Sequence, residues 1–344
     1  PVSIVAALAA SARNGVLVKG GVYLEASANL NAIAFDKTGT LTAGRPTVVD
    51  ITGLNGYSEE DLLARAAAME AHSDHPIARA VVDCAQNRFI RLRSADDFQI
   101  LPGRGATASF DGVQFWIGSQ RYLEERELGT ETVLQMISER ANLGQTTVVV
   151  GDENGVCGII AIEDTARDGA KDALRSLRKS GIRHLVMLTG DNKGTAQVIA
   201  DQTEIDVVRA ELLPEDKVAV IETLVATHEK VAMVGDGVND APAMGRATLG
   251  IAMGAVGSDV AIETADIALM TDDLSRLPWL VNHARRTLMV IRQNIGIALT
   301  IKVLFVLLTI MGYASLWAAI GADMGASLLV IFNGLLLMDG SEDD

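Results

Sequence analysis

Cysteine is scarce. Among 344 residues only Cys84 and Cys157 carry thiols, and neither has a partner at C-x-x-C spacing. That excludes a disulfide framework and a cysteine zinc finger, and leaves two reduced thiols of a cytosolic region as the plain reading. Basic residues are also in deficit: 29 Lys and Arg stand against 44 Asp and Glu, a net charge of −15. Phosphate backbones are gripped by clustered cations, so nucleic acid is excluded as a partner. Residues 1–12 have no basic leading region, so no signal peptide is read there. With Pro1 in first place, the sequence is expected to begin inside a longer protein. No internal repeat or low-complexity segment stands out.

What is present is an unusual pairing of this acidity with 49% hydrophobic residues, concentrated in a long C-terminal run and a short patch at the start. The length implies two or three units. Residues 1–12 are apolar and Ala-rich and give way to Arg13-Asn14-Gly15, as a membrane or core helix ends before a loop. At 31–35, NAIAF reads as a buried strand that breaks into a polar loop at Asp36. Between 44 and 158 a helix at 59–70 and strands at 106–110, 113–117 and 146–150 suggest a separate α+β unit. From 159 onward helix and strand alternate. Helices are expected at 168–180, 195–201 and 214–228, and strands at 184–188, 207–210, 231–234 and 249–252. Alternation of this kind implies a parallel sheet with helices on both faces. The strand at 31–35 belongs in that sheet, and the α+β unit is then an insertion.

Ligands of open parallel sheets bind at the carboxyl ends of the strands. Three polar motifs directly follow predicted strands: Asp36-Lys37-Thr38-Gly39-Thr40, Thr189-Gly190-Asp191, and Gly235-Asp236-Gly237-Val238-Asn239-Asp240. Alone, the Thr-Gly-Asp leaves a plain turn as the lesser alternative; all three in order point to one site. Asp36 and Asp236 can share Mg²⁺ with a phosphate. Lys217, in the helix before the third strand, supplies positive charge, so Asp36 can attack phosphorus and form an acyl phosphate. Thr189 offers a hydroxyl, and the amides of Gly39 and Gly190 can approach phosphate oxygens. A hydrolase using an Asp nucleophile gains from a second carboxylate two positions later. Here that position is Thr38. The acyl phosphate should therefore persist, which suits an intermediate coupled to motion.

These motifs, DKTGTLT at 36–42, TGDN at 189–192 and GDGVNDAPAM at 235–244, resemble the signatures of P-type ATPases. The resemblance implies a haloacid-dehalogenase-like α/β phosphorylation domain with an inserted α+β nucleotide-binding domain, plus transmembrane helices. It implies that Asp36 is phosphorylated and that the carbonyl of Thr38 and the carboxylate of Asp236 bind Mg²⁺. Thr189, Lys217, Asn239 and Asp240 then position the phosphate, and Lys37, Gly190 and Asp191 complete the catalytic set.

In the insertion, Glu70-Ala71-His72-Ser73-Asp74-His75-Pro76 precedes Gly103-Arg104-Gly105. Read by themselves these residues fit a helix cap, a metal site or a ligand pocket equally. The segments resemble the nucleotide-binding motifs of the heavy-metal branch of the family. That resemblance implies ATP contacts from Glu70, His75, Gly103 and Gly105, the imidazole lying on adenine.

Between residues 295 and 338 only Lys302 and Asp323 are charged. The stretch allows two membrane spans of about 20 residues each. With a turn at 312–315, both charges lie about 15 Å deep, at matching depth in an antiparallel hairpin. Opposite charges there can pair, and intramembrane charges are functional by default. Lys302, eight residues after Asn294, and Asp323-Met324-Gly325 resemble the last two helices of zinc/cadmium/lead exporters. The resemblance implies that Asp323 serves the transported Zn²⁺, Cd²⁺ or Pb²⁺ and that Lys302 can neutralise its site. The Tyr-Asn and Met/Ser pattern of copper exporters and the His-Glu-Gly-Gly pattern of cobalt-type relatives are absent.

The expected organisation is the end of a membrane helix and connector at 1–28, then phosphorylation domain at 29–44 and 159–278 around the insertion at 45–158. Two transmembrane helices at 279–338 and an acidic tail at 339–344 follow. The Cys-Pro-Cys and the Thr-Gly-Glu actuator loop of a complete pump are not found, so the earlier membrane helices and actuator domain are expected as partners elsewhere in the same pump. The implied location is an inner or plasma membrane, multi-pass, with the catalytic domains on the cytoplasmic side where ATP is. Rival readings are a soluble haloacid-dehalogenase-type phosphatase and a non-transporting ATP-sensing membrane module.

Overall fold

The computed structural model describes residues 2–71, 73, 75–101, 104–237, 239–254, 259–313 and 315–338. Gly103 and the acidic tail at 339–344 lie outside the described residues. The chain opens with α1 (Val2–Arg13), the short strand β1 (Val16–Val18), α2 (Gly21–Ala28) and β2 (Ala32–Asp36). The inserted unit follows with β3 (Thr47–Gly53), α3 (Glu59–Glu70), α4 (Pro76–Asn87), β4 (Asp96–Leu101), β5 (Gly105–Phe110) and β6 (Val113–Gly118). It closes with α5 (Gln120–Glu125), α6 (Glu131–Asn142), β7 (Thr146–Asp152) and β8 (Val156–Glu163).

Alternation then resumes through α7 (Ala170–Lys179), β9 (His184–Leu188), α8 (Lys193–Thr203), β10 (Val207–Arg209), α9 (Pro214–His228) and β11 (Val231–Gly235). After α10 (Ala241–Met244), β12 (Leu249–Ala252), α11 (Asp259–Thr264) and β13 (Ile267–Leu269) come two long helices, α12 (Arg276–Ile310) and α13 (Leu316–Leu335).

One sheet has seven strands in the order β1-β13-β12-β11-β2-β9-β10, parallel except where β1 pairs antiparallel with β13. All five residues of β2 are buried, because helices cover both faces. Ile33 and Phe35 pack in one cluster with Ala173, Leu174 and Leu177 of α7. Ala34 turns to the other face, with Ile221 and Met244. Each large side chain buried in this way contributes roughly 1.5–3 kcal/mol. The expected α/β sheet and its insertion are both present.

The inserted unit is a six-stranded antiparallel sheet, ordered β3-β8-β7-β6-β5-β4, with helices on both faces. The period of two along β6 separates them. Phe115 and Ile117 join Leu62, Met69 and Val81 of α3 and α4. Trp116 joins Leu123 and Ile137 of α5 and α6.

Three boundaries differ from expectation. The insertion closes near 163 rather than 158, because β8 continues to Glu163 opposite Thr47 of β3. Gly158, which looks like a turn, lies inside that strand; a Cβ there would stand 2.4 Å from Leu62 Cδ2 and 2.5 Å from the Thr52 carbonyl. The connector within 1–28 supplies an edge strand of the first sheet. Finally, the limit at 278/279 falls inside one unbroken helix. The first turns of α12 bury Leu277, Leu280, Val281 and Ala284 in the α/β core.

Past Asn294 the outward faces of α12 and α13 are apolar and exposed, with Val303 at 59% and Trp317 at 82%. Both helices are long and apolar enough to cross a membrane. The turn between them falls where expected. Lys302 and Asp323 are both exposed and, among the described residues, no ion pair joins them. At the other end of the hairpin a polar network ties three helices together. Asn294 Nδ2 donates to Ser3 Oγ at 3.1 Å, and Asn333 Nδ2 donates to Asn294 Oδ1 at 2.8 Å.

Candidate active site

Register decides what meets at the sheet edge. Asp36 pairs with Leu188, and Phe35 with Val234. The residues that follow β9 and β11, Thr189 and Asp236, therefore emerge beside Asp36. Asp36, Thr189 and Asp240 are 7%, 2% and 1% exposed. Lys217 reaches in from α9, its Nζ 2.5 Å from Asp36 Oδ1 and 2.8 Å from Asp240 Oδ1. Gly235 permits this, since a Cβ there would lie 2.5 Å from Asp240 Oδ2. Asn239 fixes Asp236 with two donors, its backbone N–H to Oδ1 at 3.0 Å and its Nδ2 to Oδ2 at 2.9 Å. The N–H of Asp191 donates to Thr189 Oγ1 at 3.1 Å, and buried Lys37 pairs with Asp191. Every described residue of the expected catalytic set thus belongs to this edge. Thr38, two residues after Asp36, has an exposed side chain, and Gly39 turns the chain at φ +74°.

The electrostatics favour a cation. Burial first, then the charge of Asp240, push the Asp36 carboxyl up to about 7, against the pull of Lys217; Asp236 adds to the rise. Burial works to lower Lys217, but Asp36 and Asp240 outweigh it and hold it above the usual lysine range. Asp36, Asp240 and Asp236 bring three carboxylates together around the Lys217 ammonium. Hard oxygen donors of this kind fit Mg²⁺, and Asp36, Asp236 and the Thr38 carbonyl are the residues that would hold it.

Residues with no sequence signature complete the loop. Arg167 donates from Nη2 to the Gly39 carbonyl at 2.8 Å, from Nε to the Thr40 carbonyl at 3.2 Å and from Nη1 to the Asp272 carbonyl at 3.1 Å. Thr42 Oγ1 lies 3.0 Å from the Lys37 carbonyl and 2.5 Å from Asp164 Oδ2. Arg167 N–H donates to the Leu41 carbonyl at 2.8 Å, and Thr42 bridges Ala166. The two segments that lead to and from the insertion are therefore knotted together beneath the loop that follows Asp36. Nothing in the sequence pattern singled out Asp164 or Arg167.

In the insertion, Glu70, His75 and Gly105 line one cavity of about 340 Å³, with Phe98, Ile100 and Arg104. Burial holds the Glu70 carboxyl above the usual range. His75 caps α4, its Nδ1 accepting from Ile77 N–H at 3.3 Å. Gly105 has a further reason to be glycine. A Cβ there would stand 1.8 Å from the Ile117 carbonyl, so strand pairing by itself requires its absence.

A family model described as haloacid dehalogenase-like hydrolase matches residues 30–248. The chain is 44% identical over 343 residues to the "Probable cadmium-transporting ATPase" of Staphylococcus aureus (strain MRSA252), covering 98% of this chain and 47% of that protein. It is 43% identical over 339 residues to the "Zinc/cadmium/lead-transporting P-type ATPase" of Escherichia coli (strain K12), covering 98% and 45%. The crystal structure of a zinc-transporting PIB-type ATPase in the E2.Pi state superposes with a TM-score of 0.81 at 43% identity, covering 98% of this chain and 55% of that one. The chain spans about half the length of the curated relatives it matches. With its motifs gathered at one sheet edge and these likenesses along almost its whole length, the chain belongs to the haloacid-dehalogenase-like hydrolases and, within them, to the heavy-metal branch of the P-type ATPases.

Proposed function

We propose that Asp36 accepts the γ-phosphoryl group of ATP and that the intact pump uses this step to export Zn²⁺, Cd²⁺ or Pb²⁺. The observation that carries the reading is the single ammonium of Lys217 shared between Asp36 and Asp240 beside Asp236. A carboxylate oxygen of Asp36 attacks phosphorus, the bond to the β–γ bridging oxygen breaks, and ADP departs with that electron pair. Bound Mg²⁺ supplies charge neutralisation between nucleophile and phosphate. Lys217 moves onto the transferring group, and the Thr189 hydroxyl and nearby amides hold its equatorial oxygens. Asn239 keeps Asp236 oriented, while Glu70, His75 and Gly105 hold the nucleoside.

Water later cleaves the acyl phosphate, returning the Asp36 carboxylate and inorganic phosphate. Thr38 supplies no base for that step, so in the complete pump another part must deliver the water. The large domains lie on the cytoplasmic side of an inner or plasma membrane, α12 and α13 cross it, and Asp323 and Lys302 serve the transported ion. The remaining membrane helices and actuator domain are the natural partners. The test is acid-stable labelling by γ-labelled ATP, which Asp36→Asn abolishes. Undiminished labelling in that variant would remove the assignment.

A further inference from the structure

The end of the seven-stranded sheet opposite Asp36 holds a cavity of about 620 Å³ that the phosphorylation chemistry does not use. It lies where the chain enters β2, β9 and β11, roughly 16 Å from the nucleophile along β2. Arg183, Arg285, His184 and His228 line it, and Glu229 is the one acid that does so. The two imidazoles stack at 4.1 Å between centroids.

The C-terminal ends of α2, α7 and α9 converge here, and helix C-termini ordinarily attract cations. One carbonyl at each end is already occupied by a side chain. Arg285 donates from Nε to Ala28 at 3.0 Å and from Nη1 to Ser180, and Asn31 Nδ2 donates to the His228 carbonyl at 2.9 Å. Arg183 is left over. Its exposed guanidinium makes no ion pair or side-chain hydrogen bond among the described residues. Further along α12, Arg292 stands seven residues after Arg285 and so shares its face, about 10 Å away. Arg292 is the last charge before the apolar stretch begins. In a chain of net charge −15, arginines thus run from the start of that stretch to a cavity that the Arg183 guanidinium lines.

We propose that this cavity binds a phosphate-bearing anion, with Arg183 as its principal contact. The anion is either an anionic phospholipid headgroup or free inorganic phosphate. The lipid source rests on the membrane placement proposed above; the phosphate source does not.

The experiment titrates the full chain in detergent, by calorimetry, with sodium phosphate, with short-chain phosphatidylglycerol, and with short-chain phosphatidylcholine as the zwitterionic control. Arg183→Gln is expected to weaken phosphatidylglycerol or phosphate by about tenfold or more, and Arg183→Lys by less, because the lysine keeps charge without the bidentate fork. Arg183 caps no helix end, so its loss leaves the fold intact. Phosphate held beside Asp36 is untouched by this change and separates itself as the surviving component. A loss confined to phosphatidylglycerol assigns the site to the membrane, and a loss in the phosphate isotherm assigns it to the free anion. If Arg183→Gln alters neither isotherm, or the wild-type chain binds neither probe beyond phosphatidylcholine, the proposal is overturned.

Discussion

Arg167 holds the carbonyl oxygen of Gly39 at 2.8 Å across 128 residues of chain. The contact joins the segment that leaves the insertion to the loop that follows Asp36. Because Arg167 also reaches the carbonyls of Thr40 and Asp272, it fixes loop backbone rather than substrate.

Replacing Arg167 by Ala should therefore slow phosphorylation of Asp36 while leaving nucleotide affinity in the inserted unit unchanged. Hydrogen bonds from a charged donor are worth about 1.5–3 kcal/mol each, so a fall of roughly ten- to hundredfold is expected. Arg167→Lys should recover only part, since one ammonium lacks the spread of donors by which the guanidinium reaches three carbonyls from three nitrogens. Single-turnover labelling rates beside nucleotide titrations give the answer. Equal losses in both would mean a general collapse rather than a loop that has come loose.

The sequence pattern made the sheet edge legible and left Arg167 hidden, for one physical reason. An apolar run that stops at Asp, Gly and Thr advertises a strand and its loop, which is why Asp36, Thr189 and Asp236 could be brought together on paper. A cation whose partners are backbone carbonyls leaves no trace, because every residue type has a carbonyl. Gly158 misled for a related reason: a glycine that makes room for Leu62 looks like one that makes a turn. The three residues of β1 are too few to show a period. Along α12 the helical period continues while its surroundings change from α/β core to exposed apolar face, so no boundary could be read at 279. Counting from the turn set Lys302 and Asp323 at equal distances, but counting cannot say which way side chains project around their helices.

His75 has two possible duties, and they can be separated. Its Nδ1 caps α4, whereas the rest of the ring lines the cavity. Asn is a good N-cap and carries no ring, so His75→Asn should preserve the unfolding midpoint while weakening ATP by about tenfold. His75→Gln should weaken ATP similarly. Were the Asn variant to bind ATP as the wild type does, the imidazole would be a cap only.

Acid should loosen the inserted unit through Asp152. Burial by itself would raise this carboxyl, but the N–H of Asn154 at 2.7 Å, the Tyr57 hydroxyl at 2.9 Å and the N–H of Gly155 at 3.1 Å leave it lowered. A carboxyl lowered by folding stabilises the fold above its unfolded value, near about 4, and loses that contribution as pH falls through its folded value. At neutral pH, Asp152→Asn should expose the amides of β7 and β8 to faster hydrogen exchange, corresponding to about 1–2 kcal/mol. The gap between variant and wild type should narrow as pH drops below about 4. A gap constant with pH would show that the hydrogen bonds do not depend on the carboxylate charge.

On the proposed mechanism, the side chain two positions after Asp36 should govern how long the phosphate stays. Thr38 is exposed at the loop, and its hydroxyl is too weak a base to take a proton from water at neutral pH, although Asp36 itself is buried beside Lys217. The phosphorylated chain should consequently hydrolyse slowly, and added Zn²⁺ or Cd²⁺ should not bring it to rapid turnover without the rest of the pump. Placing a carboxylate there, Thr38→Asp, supplies a general base where water would approach and leaves the Thr38 backbone carbonyl in place. General acid–base assistance is worth about a hundredfold or more, so the decay of the labelled chain after a chase with unlabelled ATP should quicken by that order. Unchanged decay in Thr38→Asp would mean that exclusion of water, rather than lack of a base, preserves the acyl phosphate, and rapid decay of the wild-type chain would mean that neither does.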